Sequence, residues 1–238
     1  MIEKNIQERI NGLDWNRVKN DLDTTGFAVL PAMINRAECR SLMAMYDEEQ
    51  LYRSTINMKR YNFGRGEYKY FTYPLPGIIQ SLREAMYPPL SAIANEWYKK
   101  LNIGNSFPAT HRELLQQCRK KGQERPTPLI LKYGEGDFNT LHQDLYGDVF
   151  FPLQAVIFLT EPGVDYTGGE FVLVEQRPRL QSRAMVLQPA QGSIVIFTTS
   201  FRAAKSAKGY YRAPMRHGVS EVHSGKRYNA GIIFHDAR

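Results

Sequence analysis

The chain has 238 residues, 42% hydrophobic and 23% charged, a balance that excludes a disordered polymer and is enough for a substantial core. Its formal net charge of +7 suits a polyanionic partner but also plain solubility, so it excludes neither a nucleic-acid enzyme nor a metabolic one. Cys39 and Cys118 lie far apart and outside any CxxC spacing, which excludes a disulfide framework or zinc ribbon and leaves two free thiols in a reducing compartment.

The first residues, Met1-Ile2-Glu3-Lys4-Asn5, mix charges without an apolar stretch, and no apolar run approaches membrane-spanning length. A cytoplasmic protein with no membrane partner is expected. Residues 1–25 place Ile6, Ile10, Leu13, Val18 and Leu22 at roughly helical spacing, the pattern of one amphipathic helix. Gly26–Pro31 reads as a strand, and Asn35 with Glu38 forms a capping-box start to a helix carrying Cys39, Leu42, Met43, Met45 and Tyr46.

From Arg53 to Tyr73, Arg53, Lys59, Arg60, Arg65 and Lys69 interleave with Tyr61, Phe63, Tyr68, Tyr70, Phe71 and Tyr73, around a turn at Gly64 and Gly66. Cations among aromatics can hold single-stranded nucleic acid. The plainer reading is a strand at 66–71 with one packed aromatic face and one solvated basic face. A helix over Ile78–Met86 is expected to stop at Pro88-Pro89, followed by a second with Leu90, Ile93, Ala94, Trp97 and Leu101 on a buried stripe, which makes Trp97 a core residue. A further helix carries Leu114, Leu115 and Cys118 inward and ends at Lys120-Lys121-Gly122; His111 near its start reads as capping or solvated.

After Pro126-Thr127-Pro128 the period changes to that of strands. Eight are expected, around 129–133, 138–144, 150–160, 169–175, 184–188, 193–198, 215–222 and 227–234, punctuated by glycine and proline turns. The expected fold class is mainly β (α+β): a single domain over 1–238, with a mainly helical region and two short strands over 1–125 and a jelly roll over 126–238 that the N-terminal helices buttress.

The jelly roll carries a chemical pattern. His142 and Asp144 are two apart on a strand and so share a face, and His217 comes from a distant strand that closure of the roll can bring alongside. Two imidazoles and one carboxylate suit Fe(II) and leave positions for a chelating co-substrate and oxygen. His223 is a rival third ligand, and His235 shares the face of Arg227 as a supporting or simply packed residue. Arg227, ten residues past His217, fits a dicarboxylate as a fixed bidentate cation. Tyr133 adds a hydroxyl to the same carboxylate, or is a packed aromatic.

These residues, with Tyr133-Gly134-Glu135-Gly136, Gly168-Gly169-Glu170-Phe171, Gln191-Gly192-Ser193-Ile194-Val195-Ile196-Phe197 and Arg216-His217-Gly218-Val219, resemble the Fe(II)/2-oxoglutarate-dependent dioxygenases. More narrowly, Pro126-Thr127-Pro128-Leu129, His142-Gln143-Asp144-Leu145-Tyr146-Gly147, Glu175-Gln176-Arg177-Pro178-Arg179 and Gly231-Ile232-Ile233-Phe234-His235-Asp236 resemble a bacterial family described as predicted oxygenases acting on alkylated DNA; the likeness runs from about Asp14 to Ala237. The resemblance implies a double-stranded β-helix with Fe(II) on His142, Asp144 and His217. It further implies 2-oxoglutarate on Arg227 and Tyr133, O2 as oxidant and ascorbate as supporting reductant. Ile233 and Leu131 stand where DNA-dealkylating members carry an arginine and an asparagine, and the ten-residue step to Arg227 is closer to the prolyl-hydroxylase-like branch.

Three substrate readings follow. Hydroxylation of an amino acid, peptide or small metabolite is placed first, then oxidative demethylation of alkylated, single-stranded nucleic acid, then a non-catalytic jelly-roll module that binds metal or nucleic acid. An acid-free basic loop, with Arg202, Lys205, Lys208 and Arg212, is expected at the mouth of the roll beside Tyr146 as substrate-binding residues.

Overall fold

The computed structural model describes residues 5–145, 147–177 and 180–238. Two helices, α1 (Ile6–Asn11) and α2 (Trp15–Thr25), replace the single one expected. Asn5 caps the first in a reciprocal box with Glu8, and Asp14 accepts from the backbone N–H groups of Asn16 and Arg17 to start the second. Two good N-caps nine residues apart outweigh a continuous apolar period. Strand β1 (Phe27–Leu30) and helix α3 (Arg36–Ala44), with its Asn35–Glu38 capping box, follow as expected.

Next come strands β2 (Tyr52–Asn57), β3 (Gly64–Arg65) and β4 (Glu67–Phe71), so this region carries more strands than the two expected. In β4 the faces are the reverse of a packed aromatic side and a solvated basic side. Lys69 is buried, its ammonium 2.6 Å from Glu49 Oε1 and 3.1 Å from the Tyr46 carbonyl oxygen, while Tyr68 and Tyr70 face the interior of the roll.

Helix α4 (Gly77–Lys100) runs straight through Pro88 and Pro89. An interior proline costs about 3 kcal/mol. Ile79, Leu82 and Met86 before the pair, and Leu90, Ile93, Ala94 and Trp97 after it, all bury in one core. At roughly 1.5–3 kcal/mol for each large side chain, packing on both flanks outweighs the two prolines. Trp97 is a core residue, its indole N–H bonded to Asp23. Helix α5 (His111–Lys120) begins at a Thr110–Glu113 capping box, and His111, expected to be capping or solvated, is buried against the Phe234 carbonyl. No described helix is long and apolar enough to cross a membrane.

The remaining strands are β5 (Leu129–Tyr133), β6 (Phe138–His142), β7 (Leu153–Phe158), β8 (Tyr166–Gly168), β9 (Phe171–Glu175), β10 (Arg183–Leu187), β11 (Ile194–Thr198), β12 (Phe201–Ser206), β13 (Gly209–Val219), β14 (Val222–Gly225) and β15 (Arg227–Ile232). Among the described residues, one sheet has the order β1-β11-β7-β15-β5-β4-β2 and the facing sheet β10-β9-β13-β6-β3. This is the jelly roll expected. The larger sheet is covered on both sides, and the period-two geometry of its strands shows it. Ile157, Ile194 and Ile196 pack toward the helices, whereas Val156, Phe158, Val195 and Phe197 meet Phe171, Leu173 and Met215 of the other sheet. The segment expected as a loose basic loop is instead the β12–β13 hairpin, paired from Phe201↔Pro214 to Ser206↔Gly209.

Candidate active site

Strands β6 and β13 pair antiparallel with His142 and His217 as direct partners, so both rings leave the same face of the sheet, with centroids 4.2 Å apart. Asp144 lies two residues beyond the end of β6 and still reaches the same point: Oδ1 is 3.5 Å from His142 Nε2 and Oδ2 is 3.3 Å from His217 Nε2. One donor atom from each of the three residues falls within 4.8 Å of the others.

His142 Nδ1 lies 2.8 Å from the Thr140 carbonyl, which only accepts; Nδ1 therefore carries the proton and Nε2 turns its lone pair to the cluster. Burial, and then the neighbouring His217, push the His142 pKa down. Burial alone would raise Asp144, but the hydrogen-bonded His217, with His142, holds its carboxyl well below the usual carboxylate range. Neutral imidazole beside ionised carboxylate is the protonation state a divalent cation requires. Two nitrogens and one oxygen on a single face fit Fe(II) and leave positions open.

Across the roll, β15 pairs with β5 so that Arg227 is the direct partner of Tyr133. The guanidinium carbon sits 5.4 Å from the Tyr133 ring, with Phe158 and Tyr166 on its other sides. Arg227 is 2% exposed and Tyr133 0%, and Arg227 Nε and Nη2 and Tyr133 Oη have no hydrogen-bond partner. Burial pushes the Tyr133 hydroxyl up to about 12 despite the pull of Arg227. A buried guanidinium left with unmet N–H groups costs several kcal/mol. A carboxylate taken in a bidentate fork, with the phenol as a further donor, removes that cost. The residues fit 2-oxoglutarate.

A cavity of about 380 Å³ joins the two places, walled by Phe63, Tyr68, Tyr70, Phe171 and Phe197, and by Leu131 and Ile233. Gln154 and Asn229, which sequence reasoning missed, also line it. The Gln154 amide donates to Asp144 Oδ2 at 2.7 Å and lies 3.5 Å from His217 Nε2. The signal was available: one amide inside the otherwise apolar run of β7. His223 is exposed on β14 and outside the cluster. His235 packs under the sheet, where its Nδ1 accepts from the Phe151 N–H.

The basic residues expected at the mouth are elsewhere. Arg202 is fixed by Glu175 at 2.7 Å and by the Asp23 carbonyl at 2.9 Å, Arg212 lies over the Phe201 ring, and Lys205 and Lys208 are exposed on the hairpin. None of the four lines the cavity. Pairing within β12–β13 carries them away from it. Tyr146 lies outside the described residues.

Residues 66–237 match the model of a family named Oxygenase-NA and described as "Oxygenase, catalysing oxidative methylation of damaged DNA". The chain belongs to this family. The oxygenase carries a His–Asp–His face suited to Fe(II) and a buried Arg227 suited to 2-oxoglutarate. It is 50% identical over 167 residues to the uncharacterized proteins MT2286 and Rv2227 from two strains of Mycobacterium tuberculosis, a match covering 70% of this chain and 72% of each relative. Its fold is similar to that of a Pseudomonas putida prolyl-4-hydroxylase (TM-score 0.54, 16% identity, 94% of this chain and 99% of that one). It is also similar to a 2OG-Fe(II) oxygenase-family oxidoreductase from Burkholderia pseudomallei (TM-score 0.53, 15% identity, 95% and 93%). A third likeness is to a Trichoplax adhaerens prolyl hydroxylase in complex with a hypoxia inducible factor peptide (TM-score 0.54, 15% identity, 99% and 94%).

Proposed function

We propose that the oxygenase removes an alkyl group from an N-alkylated base in unpaired DNA, with Fe(II) on His142, Asp144 and His217 and the distal carboxylate of 2-oxoglutarate on Arg227 and Tyr133. The observation that carries this reading is the charge of the cavity wall. Apart from the histidines, Asp144 and Arg227 are its charged side chains among the described residues, and the metal and the co-substrate would engage both. An amino acid or small acidic metabolite, the reading placed first from sequence, would bury its own ionic groups there with no counter-charge, at a cost of several kcal/mol. A flat ring, neutral or carrying the diffuse charge that N-alkylation leaves on it, suits the faces of Tyr68, Tyr70 and Phe63. The family's description, damaged DNA, supports the same choice. An unpaired base also enters without the cost of breaking a duplex.

When bound, iron with O2 and 2-oxoglutarate supplies oxidation of a C–H bond: one oxygen atom goes to the substrate carbon and one to succinate, with release of CO2. The protein's residues do the rest. Arg227 and Tyr133 orient the co-substrate, Gln154 fixes the carboxylate of Asp144, and the aromatic wall excludes water and presents the methyl carbon. An N–CH3 group becomes N–CH2OH, which loses formaldehyde and leaves N–H.

The test is succinate and formaldehyde formation by the iron-loaded protein with a single-stranded oligonucleotide containing 1-methyladenine or 3-methylcytosine. Both products, with an oligonucleotide lighter by one methylene, are expected. Succinate formation indifferent to the oligonucleotide but stimulated by a peptide would overturn the substrate assignment and leave the oxygenase standing.

A further inference from the structure

The aromatic–basic stretch divides in the structure, and the part between β2 and β4 has a shape of its own. Residues 58–65 form a finger: a turn of 3-10 helix over Met58–Tyr61, a reversal at Asn62 (φ 57°), and the short strand β3. Met58 is fully buried beside Tyr133 and anchors its base. β3 pairs with β6, the strand that ends in His142, and the Phe63 carbonyl accepts from both the backbone N–H and the hydroxyl of Thr140, each at 2.9 Å. Gly64, at φ +131°, is required by this seating, because a Cβ there would meet the Phe138 carbonyl oxygen at 2.3 Å. The backbone of the finger is therefore fixed against the metal-bearing strand.

Its side chains point the other way. Tyr61 and Phe63 are 55% and 47% exposed and stack on each other, centroids 5.6 Å apart and planes 18° from parallel. Phe63 also lines the cavity, so the pair forms a ledge running from the cavity outward. Lys59, Arg60 and Arg65 are exposed on the same finger, none forms an ion pair among the described residues, and there is no acidic residue between Met58 and Gly66. Two exposed stacked rings are costly to leave in water, and three uncompensated cations beside them complement a polyanion.

We infer that the finger is a stacking platform for the DNA strand outside the cavity: a base next to the alkylated one lies on Tyr61, while Lys59, Arg60 and Arg65 contact the adjoining phosphates. A π-face is common to all bases, so the platform grips the strand without reading sequence and holds the neighbour while the alkylated base enters the cavity. The inference rests on the nucleic-acid reading of the active site, and the experiment separates the two.

The probe is a fluorescently labelled single-stranded oligonucleotide carrying one methylated base, followed by anisotropy across a salt series. Tyr61→Ala is expected to weaken binding about tenfold, and Tyr61→Phe, which keeps the ring, to retain it. The double variant Lys59→Gln/Arg60→Gln is expected to flatten the slope of log K against log salt by about 1.4, two single-strand phosphate contacts' worth. A 2-aminopurine placed beside the methylated base should be quenched by wild type and not by Tyr61→Ala. Circular dichroism melts of the variants matching wild type show that the fold is kept. If wild type binds and demethylates the oligonucleotide while Tyr61→Ala and the double variant behave identically to it, the platform is overturned and the substrate reading survives. If wild type does not bind the oligonucleotide, or turns over a peptide instead, both fall together.

Discussion

Gln154 is an amide in a strand whose other five side chains are apolar, and a buried amide is destabilising unless it is hydrogen-bonded. Its partner is Asp144 Oδ2, so one oxygen of the carboxylate is held while Oδ1 is left facing His142. Outer hydrogen bonds of this kind set the orientation of a metal's carboxylate ligand, and losing one typically costs 10–100-fold in metal affinity. Gln154→Leu keeps the side-chain bulk inside the roll and removes only the donor. Equilibrium dialysis with Mn(II) should show affinity falling within that range while the melting midpoint of the metal-free protein stays within a few degrees of wild type; unchanged affinity would remove Gln154 from this role. His142 and Asp144 were legible as ligands two residues apart in sequence, and Tyr133 and Arg227 as residues on readable strands, although it is the β5–β15 register that makes the latter two direct partners. Gln154 stands out in the sequence only as an amide in an apolar run; that it meets Asp144 depends on how the two sheets stack. Arg202 was misplaced for the same reason: its partners, Glu175 and Asp23, are 27 and 179 residues away, and no local pattern reports them.

At the scale of elements, legibility followed how local the deciding interaction is. The Asn35–Glu38 cap closes within four residues and was plain in the sequence. The β12–β13 hairpin reads as a loop in the sequence because its composition is polar, whereas pairing between its halves makes it two strands. Helix α4 was expected to break because the prolines are a local signal, whereas the packing that overrides them comes from the sheet and the other helices. A prediction about those prolines follows. Pro88 is exposed, so its ring contributes little packing, yet it denies a donor to the carbonyl one turn earlier. Pro88→Ala should therefore raise the unfolding midpoint, with a gain of about 1–3 kcal/mol once a restored hydrogen bond and helix propensity are weighed against a more flexible unfolded chain. A denaturant titration that finds the variant less stable than wild type would mean that Pro88 sets a bend the core requires.

For the whole molecule, the segment after β15 locks the helical layer to the sheet that carries Arg227. Arg83 of α4 is fully buried, donates to the carbonyls of Ile233, Phe234 and His235, and pairs with Asp236 at 2.6 Å. His111 of α5 meets the Phe234 carbonyl at 2.8 Å, and His235 accepts from the Phe151 N–H. Burial first, and then the Arg83 charge, push His111 down to about 3 and His235 down to about 4. For His111 the bond to Phe234 opposes this, and for His235 the nearby Asp144 does. An unfolded histidine takes up its proton near pH 6.5, whereas these two stay neutral in the folded protein until well below that. Between those limits the unfolded chain binds more protons, so stability falls as pH falls, by up to about 1.4 kcal/mol per pH unit for each histidine. Glu38, Glu175 and Asp144 have lowered pKa values and lose their contribution as pH falls through the carboxylate range, below about pH 5, so the interval from pH 6.5 to 5 isolates the histidines. His142 moves in the same direction in metal-free protein, which is why the comparison must be between variants under one condition. Urea midpoints measured from pH 7.5 to 5 should decline in wild type and decline less steeply in His111→Gln, whose amide can still donate to Phe234 but does not titrate. Equal slopes in the two proteins would show that His111 takes up its proton in the folded state and that the buried lock between helices and sheet is not what acid opens.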